Sequence, residues 1–276
     1  MSTDIQQQKQ SRILVIGDSC TDVYHYGRCD RLSPEAPVPV FTLKNSFSTG
    51  GMAKNVYSNL KSLENSVTLV TNLQEIRKER YIDETTMQHM LRCDIGERER
   101  LVPISSSQIS DIKFQDFDAV VISDYDKGFL NDESIEKIIS TCTSLDVVIF
   151  VDSKRTNLSS YTNCFIKINE LEFEKARNID KTCKVIITAG DKGAIYNGKV
   201  FPCAQSEIDF LEVASSVKIL RGKNVCGAGD TFLSGFVTHY LKNKDIEKSI
   251  EFANICGSKA VENFGTYIIT PEDLKQ

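Results

Sequence analysis

The chain has 276 residues, enough for one large α/β domain with a full hydrophobic core. A hydrophobic content of 41%, a charged content of 26% and a net charge of −5 describe an ordinary soluble globule, and with no long basic run they argue against nucleic acid as a main partner. No apolar run approaches a membrane span and Met1 to Gln10 is polar and glutamine-rich, so no membrane partner is expected and the cytoplasm is the expected compartment.

Residues 1–11 read as a disordered tail and 12–276 as one domain. Arg12 to Gly17 (RILVIG) is a short apolar run, a buried strand. It ends in Gly17-Asp18, with Asp22 four residues on. Ligands of open parallel sheets bind beyond the carboxyl ends of strands, where such acids accept bonds from sugar hydroxyls or simply stand solvated in a turn. Leu32 to Leu43 (LSPEAPVPVFTL) holds three of the six prolines. Proline denies ladder donors, so this segment is an edge strand or lies outside the main sheet, as a lid or a subunit contact would.

Thr49-Gly50-Gly51 leads into a helix with Ala53, Val56, Leu60 and Leu63 on one face and Asn55 in its first turn. The glycine pair either lets backbone approach a ligand or serves as a flexible cap. Val67 to Thr71 is the next strand. Arg77 to Val102 then changes character: the short charged segments RYID, MQHMLRCD and RERLV read as small antiparallel strands. Composition alone makes Lys78, Arg80, Arg92 and Arg98 a solvated face.

Strands alternating with helices follow, which implies a mostly parallel three-layer sheet. Asp118 to Ser123 is a strand ending in Asp124-Tyr125-Asp126-Lys127-Gly128, and Asn131 or Asp132 caps a helix with Ile135, Ile138, Ile139 and Cys142 inward. Val147 to Val151 ends in Asp152-Ser153-Lys154, Cys164 to Ile168 in Asn169-Glu170-Leu171-Glu172, and Val185 to Thr188 in Ala189-Gly190. Asn197-Gly198 marks a hairpin within Ala194 to Phe201. Val217 to Leu220 is a further strand. A last helix runs from about Asp245 to Asn263, closed by Gly265 as its C′ residue. The nine cysteines are scattered without a C-x-x-C pair and the three histidines are far apart, which fits reduced thiols better than a zinc site.

The most informative stretch is GKNVCGAGDTFLSGFVTHYLK, Gly222 to Lys242. Gly227, Ala228, Gly229 and Asp230 run straight into a helical pattern carried by Phe232, Leu233, Phe236, Val237, Tyr240 and Leu241. Amides at a helix start lack intrahelical partners and carry partial positive charge, and glycines let an anion come close to them. An acid beside that cradle can take a proton from an attacking hydroxyl, which is what phosphoryl transfer to an alcohol needs. The alternative is a glycine-rich helix entry with Asp230 as a capping residue. The P-loop pattern fails here because Ala228-Gly229 stands where Gly-Lys-Ser is required, and no dinucleotide GxGxxG follows a strand.

With these residues in place the chain resembles the ribokinase-like (PfkB) carbohydrate kinases from about Arg12 to Thr266. The resemblance is carried by Asn224-Val225-Cys226-Gly227-Ala228-Gly229-Asp230-Thr231, by Gly50-Gly51 followed by Asn55, by Asn169-x-x-Glu172 and by Thr188-x-Gly190-x-x-Gly193. Within the family it is most similar to the D-glycero-D-manno-heptose-7-phosphate kinases, the kinase half of the ADP-heptose bifunctional proteins. That likeness is carried by Gly17-Asp18 through Tyr24-His25-Tyr26-Gly27, Leu32-Ser33-Pro34-Glu35-Ala36-Pro37, Lys78-Glu79-Arg80-Tyr81, Gln88 to Asp94, Ser123 to Gly128 and Val151-Asp152-Ser153-Lys154.

The resemblance implies an α/β, three-layer ribokinase-like fold with a small antiparallel lid near 32–43 and 77–102. It implies ATP-dependent phosphorylation of the anomeric hydroxyl of the heptose 7-phosphate, giving the 1,7-bisphosphate. Asp230 is then the base and Gly227, Ala228 and Gly229 the anion hole. Asp18, Asp22, Gly50, Gly51 and Asn55 hold the sugar. Lys78, Arg80, Arg92 and Lys154 are candidates for the substrate's 7-phosphate, and Gln88 is a further substrate-binding candidate. Asn169 and Glu172 serve Mg2+ indirectly, and Thr188, Gly190, Gly193 and Asn254 lie on the nucleotide side. The cofactors are ATP and Mg2+, and the expected assembly is a homodimer through lid strands.

Four departures accompany the likeness. Asn224 stands where the signature usually has Asp and Cys226 where Thr is usual; losing the acid at 224 implies weak dependence on potassium. The strand–helix–strand unit that normally follows Val70-Thr71-Asn72 is missing. The five residues Leu73 to Arg77 span at most about 17 Å and can only join a core strand to the lid. Finally the chain stops soon after Thr266, so a stand-alone kinase without the nucleotidyltransferase half is expected. The competing readings are a PfkB kinase for another sugar or sugar phosphate, and a non-catalytic sugar or nucleotide binder on a degraded kinase fold.

Overall fold

A computed structural model describes residues 10–203, 226–263 and 265–275. Residues 1–9 of the tail, the expected strand Val217 to Leu220, and Asn224 lie outside the described residues. The chain opens with β1 (Arg12–Gly17), then β2 (Ser19–Leu32), β3 (Pro39–Met52), α1 (Ala53–Ser62), β4 (Ser66–Thr71), β5 (Arg77–Asp83) and β6 (His89–Ile95). There follow α2 (Ser106–Asp111), β7 (Ala119–Asp124), α3 (Asp132–Ser144), β8 (Val148–Ser153), β9 (Phe165–Asn169), α4 (Glu170–Lys175), β10 (Lys184–Thr188), β11 (Ala194–Tyr196), β12 (Lys199–Phe201), α5 (Ala228–Asn243) and α6 (Ile246–Glu262).

Eight strands form the larger sheet in the order β12-β11-β10-β9-β8-β7-β1-β4, parallel from β10 to β4 and antiparallel at the β10-β11-β12 edge. Both faces are covered, so its inner strands are apolar throughout. Successive side chains of a strand point to opposite faces. Leu14 and Ile16 of β1 therefore pack with Ile135, Ile138 and Ile139 of α3 on one side. Ile13 and Val15 pack with α1, α5 and α6 through Val56, Leu60, Phe232, Phe236 and Ile250 on the other. The Asn197-Gly198 turn has φ of 49° and 76°, the two positive values its hairpin requires.

A second sheet of four strands runs in the order β3-β2-β5-β6. β3, which starts at Pro39, is an edge strand of this sheet, as the proline-rich stretch leading into it predicts. Only residues 72–76 separate β4 from β5, with no helix or strand between them, so the chain passes from the large sheet directly into the small one. Tyr24 on β2 and Thr49 on β3 each bond to Thr266 Oγ1 at 2.8 Å, fastening the small sheet to the segment after α6.

Several local expectations are corrected. The hairpin of the small sheet spans residues 19–52, beyond the proline-rich stretch; Asp22 lies inside β2 and Gly50-Gly51 at the end of β3, where Met52 caps α1. Register shifts after Tyr26 and Arg28 break the period-two pattern that would have shown these strands. Arg98 to Val102 is not a strand. Gly265 (φ 87°) sits two residues past the C-cap Asn263 of α6, beyond the C′ position. Among the described residues no helix is long and apolar enough to cross a membrane.

Candidate active site

The carboxyl ends of β1, β7, β8 and β9 and the N-terminus of α5 converge on one edge of the large sheet. α5 begins at Gly227, whose φ of 81° suits glycine, and a Cβ there would meet Asn55 Nδ2 at 2.8 Å. Among the described residues no side chain caps this turn. Asp230 is therefore not a cap: its buried carboxylate instead accepts from Asn55 Nδ2 at 2.8 Å and from Tyr125 Oη at 3.0 Å. Burial, then the nearby Asp152 charge, push its pKa up to about 6, against the lowering effect of Asn55, Lys167 and Tyr125. That leaves a carboxylate ionised at neutral pH and more basic than an ordinary one, the condition for a general base.

Next to it lies a chain of alternating charges. Asp152 Oδ2 is 2.7 Å from Lys167 Nζ, its Oδ1 is 3.1 Å from Lys154 Nζ, and Lys154 is 2.7 Å from Glu172 Oε1. Burial opposes ionisation of Asp152, but Lys167 and Lys154 more than offset it and hold the carboxyl down to about 2. Burial likewise disfavours the charge on Lys154, and Asp152 and Glu172 reverse this, so its pKa is raised. Lys154 also lies 5.4 Å from the centre of the Tyr125 ring.

The structure brings together Asp230, Gly227, Ala228, Gly229, Asn55 and Lys154, and it gives other expected residues more specific surroundings. The Asp18 carboxylate is fully buried and accepts from the amides of Tyr125 (2.8 Å), Lys127 (3.1 Å) and Phe129 (3.2 Å). It organises the loop after β7 that presents Tyr125 to Asp230, so these contacts favour a scaffold role over direct contact with sugar. Asp22 pairs with Arg80 at 2.6 Å; the guanidinium lies 5.1 Å from the Tyr24 ring centre. Gly51 is there because a Cβ would stand 2.1 Å from Asp22 Oδ2.

Asn169 and Glu172 form a capping box on α4: Glu172 N donates to Asn169 Oδ1 and Asn169 N to Glu172 Oε2, both at 2.8 Å. Glu172 thus has one partner on each carboxylate oxygen, the Asn169 amide on Oε2 and the Lys154 ammonium on Oε1. Among the described residues no cluster of three or more His, Cys, Asp or Glu could hold a metal. Thr188 ends β10, two strands from β8, Gly190 and Gly193 follow it, and Asn254 on α6 donates to Phe201 O (2.9 Å) and Pro202 O (3.1 Å). No hydrogen bond or ion pair among the described residues joins these four to Asp230. Lys78 faces Glu97 at 3.7 Å, which also takes Lys127 at 2.5 Å. Arg92 lies opposite Arg80 in register but on an edge strand, half-exposed and paired with Asp94. Gln88 is exposed in the turn before β6.

Sequence reasoning quoted Tyr125 and Asp152 within motifs without giving them a role, and it passed over Lys167. The signal for Lys167 was present: one charge inside the apolar strand FIKIN, where an ammonium needs a partner.

Over 96% of its length the chain superposes on 97% of Escherichia coli phosphofructokinase-2 in complex with potassium, with a TM-score of 0.70 at 15% identity. It superposes on Arabidopsis thaliana ribokinase complexed with ribose and ATP with a TM-score of 0.61 at 14% identity, covering 93% and 94% of the two chains. The fold is thus that of the ribokinase-like kinases. Residues 82–273 match the pfkB family of carbohydrate kinases. The chain belongs to that family and is an ATP-dependent sugar kinase.

Among curated relatives it is 29% identical to the bifunctional protein HldE of Sulfurimonas denitrificans and 26% to that of Helicobacter pylori strain J99. These alignments cover 96% and 95% of this chain but 64% and 65% of the relatives, so the chain spans less than two thirds of their length. The first runs over 319 positions, more than the 276 residues here, so that relative carries residues with no counterpart in this chain.

Proposed function

We propose that this protein transfers the γ-phosphoryl group of ATP to the anomeric hydroxyl of D-glycero-D-manno-heptose 7-phosphate, giving the 1,7-bisphosphate, in the cytoplasm. The observation that carries the chemistry is Asp230: a buried carboxylate with pKa raised to about 6, aimed by Asn55 and Tyr125, in the first turn of a helix whose N-terminal amides no side chain among the described residues caps. The likeness to the HldE proteins supports the heptose.

In this reading Asp230 accepts the proton of the acceptor hydroxyl as its oxygen bonds to the γ-phosphorus and the bond to the bridging oxygen breaks, releasing ADP. The amides of Ala228 and Gly229 take up charge on the transferring group without reorganising. Magnesium bound with the nucleotide would neutralise phosphate charge, and Glu172 and Asn169 would serve it through water. Arg80 and Lys78, on the face of the small sheet that carries the buried Asp22, are placed to meet the substrate's own phosphate. Arg92 follows them at the edge. The small sheet acts as a lid, and its exposed Leu43, Leu91 and Ile95 support pairing with a second copy.

The test is ADP release in the presence of heptose 7-phosphate, fructose 6-phosphate and the free sugars. Fastest turnover on heptose 7-phosphate is expected. Preference for another sugar would move the assignment within the family, and binding of ATP or sugar without any transfer would favour a non-catalytic binder.

A further inference from the structure

We propose that Lys167 is a catalytic cation of this kinase: its ammonium meets the equatorial oxygens of the transferring phosphoryl group, together with the amides at the start of α5. This rests on the reading of Asp230 as the base of a sugar kinase, not on the heptose.

Lys167 is the third residue of the five-residue strand β9 and only 4% exposed. A buried ammonium is tolerated only when paired, and its partner is Asp152 Oδ2 at 2.7 Å. Two facts separate it from a plain counter-ion. Asp152 already has a second ammonium, Lys154, at 3.1 Å, so its charge would not be stranded if Lys167 turned to another anion. And Lys167 also abuts a positive source: a Cβ on Gly229 would lie 2.7 Å from Nζ, so the ammonium stands against the first turn of α5, the positive end of its dipole. Two positive sources held against each other, with a carboxylate base alongside, make a site that is completed by an anion. Gly229, having no side chain, leaves the approach to both of them open.

During transfer the equatorial oxygens of the γ-phosphoryl group carry the charge. The acceptor O–H proton goes to Asp230, the new O–P bond forms, the bond to the ADP oxygen breaks, and Lys167 keeps all its protons, acting by charge and hydrogen bonding alone. Lys167 also favours the ionised form of Asp230.

The full chain is assayed with ATP and whichever sugar phosphate the wild type turns over; if the wild type transfers to none, the kinase reading has failed before Lys167 is tested. Lys167→Met is expected to lower kcat by roughly 10²–10³-fold, as removal of one anion-hole donor does, with little change in KM. Lys167→Arg should recover part of the loss, and in Lys167→Met the acidic limb of the kcat–pH profile should move to higher pH. The double variant Asp152→Asn/Lys167→Met removes both buried charges together and leaves neither unpaired. It carries the test if Lys167→Met folds poorly. It should stay as slow as Lys167→Met. Wild-type kcat in Lys167→Met, or in the double variant, would show that Lys167 only neutralises Asp152 and would overturn the proposal.

Discussion

Asn55 Nδ2, in the first turn of α1, donates to Asp230 Oδ2 at 2.8 Å, joining two helix starts that lie 175 residues apart in the chain. Asn59, one turn on, donates to Asn55 Oδ1 at 3.0 Å and so fixes which way the Asn55 amide faces. The base is thus oriented by a helix outside its own, from a side chain that itself is locked.

Replacing the base is the first check. Asp230→Asn keeps the shape of the side chain but cannot accept the proton. It is expected to lower kcat by roughly 10²–10⁴-fold while ATP binding persists. Calorimetric titration with nucleotide and a steady-state assay read the two halves separately. A variant retaining more than about a tenth of the wild-type rate would remove Asp230 from the role of base.

The pH dependence follows from the same carboxylate. The base works only when ionised, so activity should fall as the pH drops through about 6, the raised pKa of Asp230. Asn55 stabilises the ionised form. Asn55→Ala should therefore move the acidic limb of kcat upward in pH, besides lowering the rate. A limb that stays put in this variant would mean that another group controls it.

A phosphorylated sugar should be preferred over the free sugar. Arg80 and Lys78 already hold carboxylates, and each charge-assisted hydrogen bond is worth about 1.5–3 kcal/mol, so loss of the substrate phosphate should reduce kcat/KM by roughly 10–100-fold or more. Equal efficiency on the two would point to a kinase of unphosphorylated sugars.

Asn169 tests the capping box against the metal. Asn169→Ala removes the acceptor for Glu172 N and should lower stability by about 1 kcal/mol. Asn169→Asp keeps a cap, and is expected to preserve the melting temperature while changing the concentration of Mg2+ needed for half-maximal rate. If neither variant alters the Mg2+ dependence, the motif is a helix cap only.

The short 72–76 connection leaves less cover beside the site than a full strand–helix–strand unit would provide. Since closure excludes water during phosphoryl transfer, some ATP hydrolysis without sugar is expected. Comparing ADP release with and without acceptor measures it; strictly sugar-dependent release would show that the small sheet closes the site by itself.

Local sequence determined much of this protein. Short apolar runs located the core strands, which are buried on both faces, and the period-3.6 pattern located helices such as α1, α3 and α5, because burial of one stripe imposes a period on the side chains. The glycine turn before Asp230 and the five-residue link after Asn72 were also legible, since backbone freedom and chain reach are local properties. Tertiary structure decided the rest. That Asp18 serves the loop amides 125–129, that Asp22 holds Arg80, and that Glu172 closes a cap and holds Lys154 depend on which elements meet at the carboxyl edge of the sheet. The raised pKa of Asp230 depends on burial and on Asp152, 78 positions away by the numbering. The ammonium of Lys167 at the start of α5 is set by packing strand against helix. Charge–charge energy falls off with distance through space, and the sequence alone holds no such distances.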